Sequence, residues 1–262
     1  MAIALMIYNQ FEFDLRCEWG LQGVTQLAPI SDVVVIVDVL SFSTCVEIAT
    51  NRGAIIFPYP SKDESVIDYA KSIQAELASH RKSRTTSHYS LSPKSLLEIP
   101  ASTRLVLPSP NGSFLSLQTG TTPTLAGCLR NCEVVARVAQ SYGKRIAVIP
   151  AGERWRDDGS LRPAFEDLLG AGAILSYLHG SLSPEAEIAV VIFQTCQKNL
   201  LGYLKQCSSG KELIAAGFEA DVEIASAYNI SDCVPLFTKN SYVRKESGND
   251  GFLHLCSPRP NP

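Results

Sequence analysis

The chain carries none of the short signatures of common catalytic chemistry. It has no GxGxxG, no GxxxxGK(S/T) phosphate loop, no GxSxG elbow and no HExxH. These absences remove the simple dinucleotide-binding, P-loop, α/β-hydrolase and zinc-protease readings. Histidine is scarce: the four residues, at 80, 88, 179 and 254, are scattered. The eight cysteines form no CxxC pair, and no nearby histidine completes a zinc set around Cys128 and Cys132. Reduced, mostly buried thiols are expected.

A large excess of charge of one sign is also missing. The formal net charge is −3, with no basic stripe interleaved with aromatics, so nucleic acid is not an expected partner. No stretch approaches the roughly 18 apolar residues of a membrane-spanning helix. The opening segment MAIALMIYNQ is short and has no basic residues before its apolar run. It is expected to be a first strand, not a signal peptide, in a cytoplasmic protein without a membrane partner.

What is present describes a globular chain. Hydrophobic residues make up 45% and charged residues 19% of 262, enough for a sizeable core. One domain over residues 1–262 is expected, with room for two lobes and a polar C-terminal tail over 239–262. Short aliphatic runs alternate with helical patterns. DVVVIVDVL, AIIFPYP, RLVL and RIAVIPAG read as strands. STCVEIATNRG, NCEVVARVAQSYGK and RPAFEDLLGAGAILSYLHG read as helices. Val66, Ile67, Ala70, Ile73 and Leu77 recur at helical spacing. Residues 80–102 read as a long loop, and 184–228 as two or three helical pieces. Strands alternating with crossover helices predict a three-layer α/β/α fold with a mainly parallel or mixed central sheet.

Ligands in such folds sit outside the carboxyl ends of the strands. Asp38 stands there, in VVVIVDVLSFST. A buried carboxylate needs a cation, a metal or a set of donors. The loop that follows, through Ser43 and Thr44, offers hydroxyls and N–H groups to an anion. A carboxylate beside an anion cradle is consistent if Mg²⁺ lies between them. The alternative is local: Asp38 accepts backbone amides, and Ser43 caps the helix. PSPNGS at 108–113 offers a second turn, with Asn111 and Gly112 able to take positive φ and Ser113 adding a hydroxyl. Glu166 and Asp167 fall in the first turns of a helix, where acids also simply favour the dipole. The GAGA that follows would let that helix lie close to the sheet. Read alone, Asn131 is an N-cap and Asp221 lies on a solvated helix face.

The order of these segments is more specific than any one of them. VVVIVDVLSFST, PNGS, LAGCLRN, AG…FEDLLGAGAIL and GKELIAAGFEADVEIASAYNISDCVPLF together resemble the 2-phosphosulfolactate phosphatase family, the ComB-like proteins. The resemblance runs from about residue 30 to about 237. It implies a Mg²⁺-dependent phosphoric monoester hydrolase, converting 2-phospho-3-sulfolactate to 3-sulfolactate and inorganic phosphate, a step towards coenzyme M. The matching positions are Asp38, Asn111, Gly112, Ser113, Asn131, Glu166, Asp167 and Asp221. The resulting expectation sets Mg²⁺ on Asp38, Glu166, Asp167 and Asp221, with the first three also in catalysis. Ser43, Thr44, Asn111, Gly112, Ser113 and Asn131 are expected on a small anionic phosphate ester. A homodimer is a candidate assembly.

The chain departs from the family pattern in places. Ser41 stands where the first motif usually carries arginine, and Phe42 where it carries alanine. Ser79-His80-Arg81 and Leu91-Ser92-Pro93 replace Gly-Glu-Arg and Asn-Ser-Pro. The letters Gly-Glu-Arg do occur at 152–154, elsewhere in the pattern, and are read as coincidence. The departures motivate an alternative: a homologue that binds a small organic anion without turnover.

Overall fold

The computed structural model describes residues 7–60, 63–79 and 88–246. Its strands are β1 (Leu15–Cys17), β2 (Val33–Val37), β3 (Ile55–Tyr59), β4 (Glu76–Leu77), β5 (Arg104–Pro108), β6 (Thr124–Gly127), β7 (Ile146–Pro150), β8 (Glu153–Arg154), β9 (Leu161–Arg162), β10 (Pro235–Thr238) and β11 (Ser241–Arg244). The helices are α1 (Gly20–Leu27), α2 (Phe42–Asn51), α3 (Ser65–Ser72), α4 (Gly112–Ser116), α5 (Cys132–Tyr142), α6 (Phe165–Leu175), α7 (Pro184–Cys196), α8 (Leu200–Gln206), α9 (Ser208–Ala215) and α10 (Glu219–Ser226).

Nine strands make one mixed sheet in the order β1-β7-β2-β6-β10-β11-β3-β5-β4, while β8 and β9 pair separately. β1, β7, β2 and β6 are parallel to one another. So are β3, β5 and β4. The hairpin β10–β11 lies between these halves and pairs antiparallel on both sides. The two parallel halves therefore run in opposite senses.

Strand alternation sets the layers, because successive side chains point to opposite faces. Val33, Val35 and Val37 face α5, α6 and α7. Val34 and Ile36 face α1 and Leu115 of α4. In the other half, α2 packs through Cys45, Val46 and Ala49 against Ile56, Leu105 and Leu107, and α3 packs through Val66 and Ala70 against Phe57 and Val106 on the opposite face. The small residues of α6 bring it close, as expected. A Cβ on Gly170 would lie 2.7 Å from Val39 and 2.9 Å from Val37.

Several expectations change. The helical spacing through Leu77 breaks: α3 ends at Ser72, Gln74 takes φ 53°, and Glu76–Leu77 forms the edge strand β4. Ile67 lies within α3 but is solvent-exposed, so the buried face of this helix is carried by Val66 and Ala70. Residues 184–228 hold four helices, α7 to α10. Residues 1–6 and 80–87 lie outside the described residues, and Ile7–Gln10 form helical and turn conformations where the opening strand was expected. The hydroxyl-rich stretch from 88 onward contains a 3₁₀ turn, Pro93–Leu96.

The largest change concerns the polar tail. Its start, Lys239-Asn240, is a two-residue turn with φ 50° and 62°, the geometry that matches hairpin twist. It returns the chain as β11 between β10 and β3. Tyr242 is fully buried there, against Phe42 and Phe237, with its hydroxyl 2.7 Å from Ser116 Oγ. Replacing Tyr242 by alanine is expected to lower unfolding free energy by about 3–5 kcal/mol in urea titrations. Tyr242→Phe is expected to lose only about 1 kcal/mol. Equal stabilities for all three proteins would mean that this strand does not join the halves.

Candidate active site

Asp38 follows β2 and is nearly buried. Its Oδ1 accepts the Phe42 amide at 3.0 Å, and its Oδ2 accepts the Gly112 amide at 2.9 Å. The local reading of this aspartate, as an acceptor of backbone amides, is therefore correct. Asp38 also lines a cavity of about 510 Å³.

Gly112 is needed for space and not for a left-handed turn. Asn111 has φ −108°, and Gly112 is absent from the positive-φ residues. A Cβ at Gly112 would lie 2.3 Å from the Phe42 ring and 2.8 Å from Asp38 Oδ2. Its N–H points at Asp38, so it is not offered to a ligand.

The other expected anion contacts are mostly consumed inside the fold. Ser43 Oγ donates to the Asp38 carbonyl at 2.8 Å and accepts the Asp38 amide at 3.0 Å. Thr44 Oγ1 donates to the Val39 carbonyl, and Ser113 Oγ to the Leu107 carbonyl. Asn131 accepts the Cys128 amide and donates to the Cys233 carbonyl, tying the end of β6 to the segment before β10. All four side chains are fully buried. Asn111 alone of the six reaches the cavity with its side chain.

Of the four carboxylates expected around Mg²⁺, Asp167 is near enough to Asp38 and Glu166 to be repelled by both, but only Asp38 lines the main cavity. Asp167 Oδ1 accepts the Val39 amide at 2.7 Å and Oδ2 the Gly152 amide at 2.9 Å, deep in the core. It is a staple between the segments that follow β2 and β7. Burial, then Asp38 and Glu166, hold its carboxyl well above the usual range. Glu166 faces a separate pocket with Arg162, Tyr203 and Cys207. Asp221 accepts Ser92 Oγ at 2.6 Å and the Lys94 amide at 3.1 Å, so it caps the 3₁₀ turn beside the cavity residue Leu91. Among the described residues no three His, Cys, Asp or Glu side chains are grouped to hold a metal.

The carboxylate that joins Asp38 in the cavity is Glu153. It follows β7, the parallel neighbour of β2, so both acids leave adjacent strands at their carboxyl ends. Asn111 Nδ2 donates to Glu153 Oε2 at 2.8 Å. Burial, reinforced by Asp38, pushes the Glu153 carboxyl up to about 7. The letters set aside as coincidence thus supply a cavity acid. Strand adjacency, which the segment order did not reveal, was the missing signal. Ser41, Ser109, Arg156, Ser209 and Glu212 complete the polar lining.

A Mg²⁺ ion fits this donor set. It commonly uses one or two carboxylates and completes its shell with water and substrate phosphate. Asp38 and Glu153 are hard oxygen donors whose like charges face one space.

Fold and cavity define a three-layer α/β protein with an acidic pocket at its strand ends. The sequence profile of the family described as 2-phosphosulpholactate phosphatase matches residues 22–240, and the chain belongs to that family. A protein named 2-phosphosulfolactate phosphatase from Methanothermobacter thermautotrophicus is 31% identical over 134 residues, covering 51% of this chain and 55% of its own. The match thus spans about half the length of that relative. Proteins named "Probable 2-phosphosulfolactate phosphatase" extend further. The one from Carboxydothermus hydrogenoformans is 29% identical over 77% of this chain and 84% of its own. The one from Thermotoga maritima is 24% identical over 84% and 97%. Among the described residues no helix is long and apolar enough to cross a membrane.

The raised Glu153 carboxyl has a consequence for stability. Unfolded, it titrates near 4.5, and folded near 7. The native state holds this proton more tightly, so the contribution is complete below pH 4.5 and is lost as pH rises through 7. The loss amounts to roughly 3 kcal/mol at most. Glu153→Gln keeps an acceptor for Asn111 and removes the charge. In urea titrations without added metal, it is expected to be more stable than the parent at pH 8 and equal to it near pH 4.5. Identical curves at pH 8 would show that Glu153 carries no such burden.

Proposed function

We propose that this chain is a Mg²⁺-dependent phosphatase that hydrolyses a small phosphate monoester, 2-phospho-3-sulfolactate or a close relative. The observation that carries this reading is the pairing of Asp38 and Glu153 at the carboxyl ends of adjacent parallel strands, facing one cavity of about 510 Å³. The family membership and the names borne by its relatives point the same way.

Asp38 and Glu153 would hold the metal. When bound, Mg²⁺ supplies charge neutralisation at a phosphate oxygen and a more acidic water. The chain's own residues do the positioning. Asn111 donates to Glu153 and so fixes its orientation. The amides of Phe42 and Gly112 hold the Asp38 carboxylate in place. Ser109 lines the same space and would donate its hydroxyl to one of the remaining phosphate oxygens. Attack by water forms the new P–O bond as the ester P–O bond breaks, and the departing alkoxide takes up the proton that water released. Phosphate monoesters hydrolyse extremely slowly unaided, so in-line positioning and charge neutralisation must supply most of the barrier reduction.

Asp38→Asn and Glu153→Gln are each expected to reduce Mg²⁺-dependent phosphate release by roughly a hundredfold or more. Magnesium is expected to raise the parent's thermal midpoint at pH 8 and to leave that of Glu153→Gln nearly unchanged. Full turnover in both variants would end this assignment.

A further inference from the structure

The cavity carries three acids and, among the described residues, one cation: Asp38, Glu153 and Glu212 against Arg156. Arg156 lies in the turn between β8 and β9, and Glu212 on α9. The two form an ion pair, with side chains 84% and 57% exposed. Asp38 and Glu153, by contrast, are set back in the fold. The paired acids and the paired ion bridge thus occupy different depths of one pocket.

An exposed ion pair contributes about 0–1 kcal/mol, so Glu212 is readily exchanged for another anion. The guanidinium is suited to a planar or tetrahedral oxyanion through parallel N–H donors. Asp38 and Glu153 are less exposed than Arg156, so an ester held by its phosphoryl group at the two acids would extend its carbon skeleton to the rim that carries Arg156.

We propose that Arg156 is a specificity-determining residue. It selects phosphate monoesters that bear a second anionic group, carboxylate or sulfonate, by accepting that group in exchange for Glu212. This rests on the phosphatase reading. Glu212 acts as an internal competitor: an ester without a second anion gains nothing by displacing it.

The test compares steady-state kinetics on 2-phospho-3-sulfolactate, 2-phospholactate and p-nitrophenyl phosphate, all with Mg²⁺. Arg156→Ala is expected to raise KM roughly tenfold or more on the esters with a second anion, with kcat nearly constant. Its KM on p-nitrophenyl phosphate is expected to stay within twofold. The contrast between the first two esters reports whether sulfonate or carboxylate is the group held. Glu212→Gln is expected to lower KM on those esters about two- to fivefold. Thermal midpoints should be unchanged, since the pair is exposed. A uniform loss of kcat on all three substrates, or no effect on any, overturns the proposal. If the parent protein hydrolyses none of them, the phosphatase reading fails, and calorimetric titration with 3-sulfolactate and Mg²⁺ decides. Binding at least tenfold weaker in Arg156→Ala then supports the role of Arg156, and equal or absent binding overturns it.

Discussion

One carboxylate positions the rest of the site. Asp38 accepts an amide from the start of α2 and another from Gly112, 74 residues further along the chain. The second contact needs the close approach that only a missing Cβ allows. It anchors the loop after β5 beneath the end of β2, although their parallel halves run in opposite senses. Asn111, the residue before Gly112, is thereby brought to Glu153. The first cavity acid thus holds the loop that orients the second.

Asp167 repeats the device a layer deeper, joining the segments after β2 and β7 through two amides. The result is a concentration of carboxyl groups with few cations nearby. Burial and mutual repulsion raise Glu153 and Asp167 together. A phosphate ester entering this space adds further negative charge, and an uncompensated group of that kind is costly in a low-dielectric site. That electrostatic argument for a divalent cation is independent of any motif. It also separates two uses of the same side chain: both aspartates accept an amide at each oxygen, but Asp38 lines the cavity and Asp167 does not.

Much of the fold was legible in the sequence. Continuous aliphatic runs at 33–37 and 146–149 are buried parallel strands because both faces are covered by helices. The small residues of α6 do approach the sheet. Failures arose where a local pattern met a tertiary one. Leu77 kept the helical period but joined a strand, since Gln74 turned the chain and the β5 edge was unpaired on that side. The β11 strand hid in a polar stretch because its burial rests largely on one large apolar side chain, Tyr242.

The site was legible in part, for a related reason. Ser43, Thr44, Ser113 and Asn131 look like anion ligands because hydroxyl and amide groups after a strand suit phosphate. The same groups also suit the unpaired carbonyls and amides that strand ends leave behind. Burial decides between these uses, and burial depends on packing that a sequence does not display. Glu153 escaped for the converse reason. Nothing local distinguishes it from a turn acid. Its place in the cavity follows from β7 lying beside β2, a neighbour relation made by two strands more than 100 residues apart. Residue chemistry proposes candidates at the strand ends, and strand order determines which of them share a cavity.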